Sequence, residues 1–98
     1  MFEIIKSETF DYWLTLLRNK RAISRINARL RRVTLGNLGD IAPVGDGVSE
    51  MRIFYGHGYR VYFITQSHEF IVVLCGGEKA SQNKDIKQAK ELANEWRV

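Results

Sequence analysis

The chain has 98 residues, 45% hydrophobic and 27% charged, with 15 Lys and Arg against 11 Asp and Glu for a formal net charge of +4. That composition bounds it to one domain with a modest core and argues against disorder. It has no apolar run near the roughly 18 residues of a membrane span, its opening M-F-E-I-I-K-S-E is unlike a signal peptide, and Cys75 stands alone, so a cytoplasmic protein without disulfides, Cys-based metal sites or a membrane partner is expected.

In chain order, residues 2–5 read as a short first strand. Ser7 or Thr9 can cap a helix in which Phe10, Trp13, Leu14 and Leu17 recur at i, i+3, i+4 and i+7. Asp11 falls in its first turn, where the helix dipole favours an acid. A second helix is predicted over 20–34, with Ile23, Ile26, Leu30 and Val33 as the inner stripe. Arg21, Arg25, Arg29 and Arg32 fall on a neighbouring, outward face. Residues 18–32 hold Arg18, Lys20, Arg21, Arg25, Arg29, Arg31 and Arg32 and no acid. Such a block repels itself and suits nucleic acid, an acidic partner or a negative surface; the plainer alternative is a solvated helix face. The segment G-N-L-G-D-I-A-P-V-G-D-G, 36–47, reads as turns.

Three strands follow, near 48–55, 59–66 and 69–75. A three-residue turn at Gly56-His57-Gly58 sets Ile53 against Val61 and Met51 against Phe63. A two-residue turn at Ser67-His68 sets Phe63 beside Val72 and Val61 beside Leu74, giving one apolar face for the two helices. The other face collects Glu50, Arg52, Phe54, Arg60, Tyr62, Ile64, Ile71, Val73 and Cys75. A last helix is predicted from a Ser81 cap to about Trp96, with Ile86, Ala89, Ala93 and Trp96 as its stripe and Leu92 beside them, covering Ile64, Ile71 and Val73. The order β-α-α-β-β-β-α defines a small α+β domain, with a mostly antiparallel sheet packed on two N-terminal helices.

Arg52, Arg60 and Tyr62 are left at the open end of the second sheet face, with Lys79 just past the last strand and His57 in the turn before Arg60. Guanidinium and ammonium groups bind phosphate oxygens by charge-assisted hydrogen bonds, and Phe54 and Tyr62 could stack unpaired bases. Cations and aromatics on one sheet suit single-stranded RNA. The alternatives are that Arg52 pairs with Glu50 or a helix acid, that His57 is a turn residue, and that Cys75 is a small packed side chain. Gly76-Gly77 lacks phosphate-loop or dinucleotide spacing, and His57, His68 and scattered acids make no metal set, so no cofactor and no metal is expected.

The runs G-D-G-V-S-E-M-R-I-F-Y-G-H-G-Y-R-V-Y-F (45–63) and L-C-G-G-E-K-A-S-Q-N-K-D-I-K-Q-A-K (74–90) resemble the RelE/ParE superfamily of type II toxin–antitoxin toxins, most closely its HigB-like addiction module killer branch. The resemblance spans nearly the whole chain. It implies a RelE-like fold and a metal-independent endoribonuclease that cuts mRNA on the ribosome and is silenced by a cognate antitoxin, a small helix-turn-helix protein. On that resemblance Arg52 and Arg60 match the strand arginines that neutralise the scissile phosphate, and Lys79 matches the basic residue after the final strand. The basic second helix would meet ribosomal RNA or antitoxin acids. The chain departs from the RelE pattern in having Gln82, Asn83 and Asp85 where a tyrosine is expected, and Phe54 where a lysine is common. His57, Asp85 and Tyr62, in that order, are the candidates for proton transfer. The rival reading is a ParE-like gyrase inhibitor that binds without cutting RNA.

Overall fold

The computed structural model describes residues 1–97. Strand β1 (Glu3–Lys6) runs into Ser7, whose extended backbone starts helix α1 (Glu8–Leu16). The Ser7 hydroxyl accepts from the Phe10 amide at 3.0 Å and donates to the Leu74 carbonyl at 2.5 Å, so one side chain caps the helix and ties it to the sheet. Asn19 caps α2 (Lys20–Thr34) by accepting from the amides of Arg21 and Ala22. Arg31 and Arg32 sit in the last turn of α2, where the dipole favours cations.

Strands β2 (Ile41–Gly45), β3 (Val48–Ile53), β4 (Tyr59–Gln66) and β5 (Phe70–Glu78) follow, and a 3-10 turn (Lys79–Ser81) leads into α3 (Gln82–Trp96). The domain is α+β, with three helices and a mostly antiparallel five-stranded sheet in the order β1-β5-β4-β3-β2; only β1 and β5 are parallel. Among the described residues no helix is long and apolar enough to cross a membrane.

The structure corrects three local expectations. Residues 41–45, read as turns, form the edge strand β2. Pro43 is tolerated there because an edge strand has a side without ladder bonds. Asp46 and Gly47 join β2 to β3 with φ of 54° and 77°, the left-handed pair that a tight hairpin requires. Next, the β3–β4 connection takes five residues, 54–58, and Ile53 pairs with Tyr59, Met51 with Val61 and Arg52 with Arg60. The pairing moves by two residues, so every side chain keeps its face.

The third change alters the faces. The β4–β5 turn takes Ser67, His68 and Glu69, with Gln66 opposite Phe70 and Phe63 opposite Val73. Ser67 and His68 both adopt positive φ. The single extra residue exchanges the faces of β5. Ile71 and Val73 pack with Phe10, Ile26, Val33, Met51, Val61 and Phe63, whereas Val72 and Leu74 join Tyr62, Ile64, Ala89 and Ala93. A bulge between Tyr62 and Phe63 then brings Cys75 opposite Tyr62. The α3 stripe of Ile86, Ala89, Leu92, Ala93 and Trp96 therefore covers Ile64, Val72 and Leu74, not Ile71 and Val73.

Candidate functional site

Pairing Arg52 directly opposite Arg60 sets two like charges side by side, which is unfavourable on an open sheet. Glu50, two residues before Arg52, compensates them. Its side chain is 4% exposed, and its Oε2 accepts from Arg60 Nε at 2.9 Å and lies 3.7 Å from Arg52 Nε. Gln82, at the start of α3, donates to Glu50 Oε1 at 2.8 Å and Oε2 at 3.3 Å. Arg52 Nε also lies 3.9 Å from Asp40. Among the described residues, the terminal nitrogens of Arg52 and Arg60 make no hydrogen bond to protein, so their outer edges are available to a ligand.

Those edges line a groove of about 360 Å³ with Phe54, His57 and Lys79. The Lys79 amide donates to the Gly58 carbonyl at 3.2 Å, which holds the turn before α3 against the hairpin loop that carries His57. The groove thus gathers three cationic side chains and one imidazole, with the Glu50 carboxylate behind the two arginines. Phe54 is 76% exposed and also borders a neighbouring hollow lined by Arg25, Arg29, Arg32 and Arg52. Arg25 lies over the Tyr55 ring at 4.9 Å from its centroid, a cation–π contact that holds the guanidinium beside the groove. Arg21 is exposed on the same helix but lines neither hollow.

Two of the expected surface residues are internal. Arg29, expected on the outward face of α2, is buried: its Nε and Nη2 donate to the Leu38 carbonyl at 3.1 and 3.0 Å, Nη2 to the Asp40 carbonyl at 2.8 Å, and Nη1 to the Arg52 carbonyl at 2.6 Å. Burial, then the nearby Arg32, pulls its pKa below the ordinary guanidinium value. Arg29 joins the helix to the β2–β3 end of the sheet and has no edge left for RNA. Tyr62, expected beside Arg60 at the open end, is fully buried beneath α3, so it cannot stack a base. Burial and then Glu50 and Asp85 push its phenol pKa strongly up, so it stays protonated at neutral pH.

Asp85 is also buried and does not line the groove. It accepts from the Ser81 hydroxyl at 2.5 Å, and a Cβ on Gly77 would stand 1.8 Å from its Oδ2, so the Gly there makes room for the carboxylate. Of the three candidates for proton transfer, the groove contains His57 alone. Cys75 is internal, and burial followed by Asp85 pushes its thiol up to about 12, which leaves almost no thiolate at neutral pH.

Sequence reasoning missed the parts that organise the groove. Glu50 was legible on the arginine face from its parity with Arg52, but its near-complete burial was not. Gln82 carried no signal, because only the docking of α3 brings it to Glu50.

The fold and its groove define a small α+β domain with a cationic groove at one end of its sheet. No family model matches the chain. An uncharacterized protein of Haemophilus influenzae (strain ATCC 51907 / DSM 11121 / KW20 / Rd) is 55% identical over 87 residues, covering 89% of this chain and 88% of that protein. The chain belongs to the same family as that protein.

Proposed function

We propose that this protein is the toxin of a type II toxin–antitoxin system, a RelE/ParE superfamily member of the HigB-like branch that cleaves mRNA on the ribosome. The observation that carries this reading is the convergence of Arg52, Arg60, Lys79 and His57 on one groove. The arginine edges and Lys79 would bind the non-bridging oxygens of the scissile phosphate and stabilise the charge that grows on them in the transition state. The ribose 2′-hydroxyl attacks phosphorus, the P–O5′ bond breaks, and a 2′,3′-cyclic phosphate and a 5′-hydroxyl result. The 2′-hydroxyl loses a proton and the 5′-oxygen gains one. His57, the imidazole in the groove, would serve one of these transfers. Phe54 would stack a flanking base, and Arg21, Arg25 and Arg32 would meet RNA phosphates or antitoxin acids.

A second reading is a ParE-like gyrase inhibitor. It is favoured by the internal Glu50, which offsets part of the cationic charge. Primer extension on cellular mRNA after induced expression separates the two. Codon-phased cuts are expected; intact mRNA with accumulated gyrase–DNA breaks would instead favour the inhibitor.

A further inference from the structure

We infer that Glu50 is a positioning residue, an internal carboxylate that aims the outer edges of Arg52 and Arg60 into the groove. The inference rests on the proposed anion-binding role of that groove. Three observations carry it. Glu50 is almost fully buried, although Arg52 on the same strand and face is about a third exposed. It accepts a hydrogen bond from Arg60 Nε and lies 3.7 Å from Arg52 Nε, which is buried without a hydrogen-bond partner among the described residues. It thus engages the inner nitrogens by bond and by charge and leaves the terminal nitrogens to fork a phosphate. Its own carboxylate is fixed by Gln82 from the opposite layer, so the arginines are oriented by a group that is itself oriented.

The sign of the effect separates positioning from charge. By Coulomb attraction alone, losing a carboxylate next to a cationic site strengthens anion binding. If Glu50 positions the arginines, Glu50→Ala weakens it despite the gain in positive charge. Glu50→Gln keeps an oxygen for Arg60 Nε, and Gln82 can turn its amide to match, so this variant retains the geometry.

The test uses the full chain, labelled with ¹⁵N at arginine. It reads solvent exchange of the Arg60 Nε–Hε signal, and affinity for a short single-stranded RNA and for inorganic pyrophosphate. Glu50→Ala is expected to speed the exchange and weaken both ligands about tenfold, within the ~100-fold that a misplacement of ~1 Å can cost. Glu50→Gln is expected to exchange slowly and to bind as well as the parent or better. Gln82→Ala leaves the charge unchanged and is expected to lie between the parent and Glu50→Ala. Binding by Glu50→Ala no weaker than by Glu50→Gln, or unchanged Arg60 exchange in Glu50→Ala, overturns the inference. Should Glu50→Ala fail to fold, Gln82→Ala decides, and parental exchange and affinity in that variant overturn it. A parent that binds neither RNA nor pyrophosphate refutes the proposed function instead, while the Arg60 exchange still reports whether Glu50 orders the guanidinium.

Discussion

On α2, Arg29 directs its whole guanidinium at the main-chain carbonyls of Leu38, Asp40 and Arg52; on β4, Arg60 gives only Nε to the Glu50 carboxylate. The two side chains are chemically identical and both are largely covered. Their acceptors differ, and so do their uses. Three carbonyls take four of the five guanidinium N–H groups and all three nitrogens, which makes Arg29 a joint between α2 and the sheet. A single inner contact leaves Arg60 its outer edge, which makes it available to an anion. Arginine on a helix or strand is thus assigned by which of its nitrogens are already held, not by the charge it carries.

The largest expected effect is on function. Arg60→Ala should lower RNA cleavage by about 10²–10³-fold, the range for removing one preorganised donor from a developing oxyanion, and should relieve growth arrest on induction. Cleavage within a few-fold of the parent would erase the contrast with Arg29. On stability the order reverses. Arg29→Ala should cost about 2–4 kcal/mol in urea unfolding, because carbonyls that shared a charged donor lose it; a cost below about 0.5 kcal/mol would show that the joint is not needed.

Alkaline unfolding probes the face beneath α3. Cys75, ordinarily at 9.0, is raised to about 12 in the fold. A raised acid keeps its proton in the native state longer than in the unfolded chain, so its contribution is complete below pH 9.0, then falls as pH rises toward about 12. The Tyr62 phenol, also raised, adds a loss of the same sign above its ordinary 10.0. Stability should therefore decline from about pH 9 upward, and Cys75→Ala should flatten that decline. A smaller change is expected for Tyr62→Phe at neutral pH. Its buried hydroxyl has no hydrogen-bond partner among the described residues, so its removal should shift stability by less than about 1 kcal/mol in either direction. Smallest is Arg21→Ala, which should leave stability within about 0.5 kcal/mol and, if α2 meets RNA, reduce the salt slope of binding by about one.

Much of the layout was legible. Phe10, Trp13, Leu14 and Leu17 marked α1, the span of about 20–34 matched α2, and the stripe from Ile86 to Trp96 marked α3. Arg52, His57, Arg60 and Lys79 were placed together from strand parity and turn position, and they line one groove. Parity survived the wrong β3–β4 turn because that shift was even. It failed on β5, where one more turn residue exchanged Ile71 and Val73 with Val72 and Leu74. The edge strand β2 had a signal in Val44-Gly45-Asp46-Gly47-Val48, an Asp-Gly hairpin, which the surrounding glycines and Pro43 obscured.

By itself the sequence determined where the three helices and four of the five strands run, since side-chain period and capping are local properties of neighbouring residues. It also determined that Arg52, Arg60 and Glu50 share a face, since alternation along a strand is local too. The tertiary structure decided which of these groups are covered. Burial of Tyr62, the capture of Arg29 by three carbonyls and the meeting of Gln82 with Glu50 all depend on where α2 and α3 dock. Docking is set by contacts across long stretches of chain, and no local pattern encodes which donor will find which acceptor there.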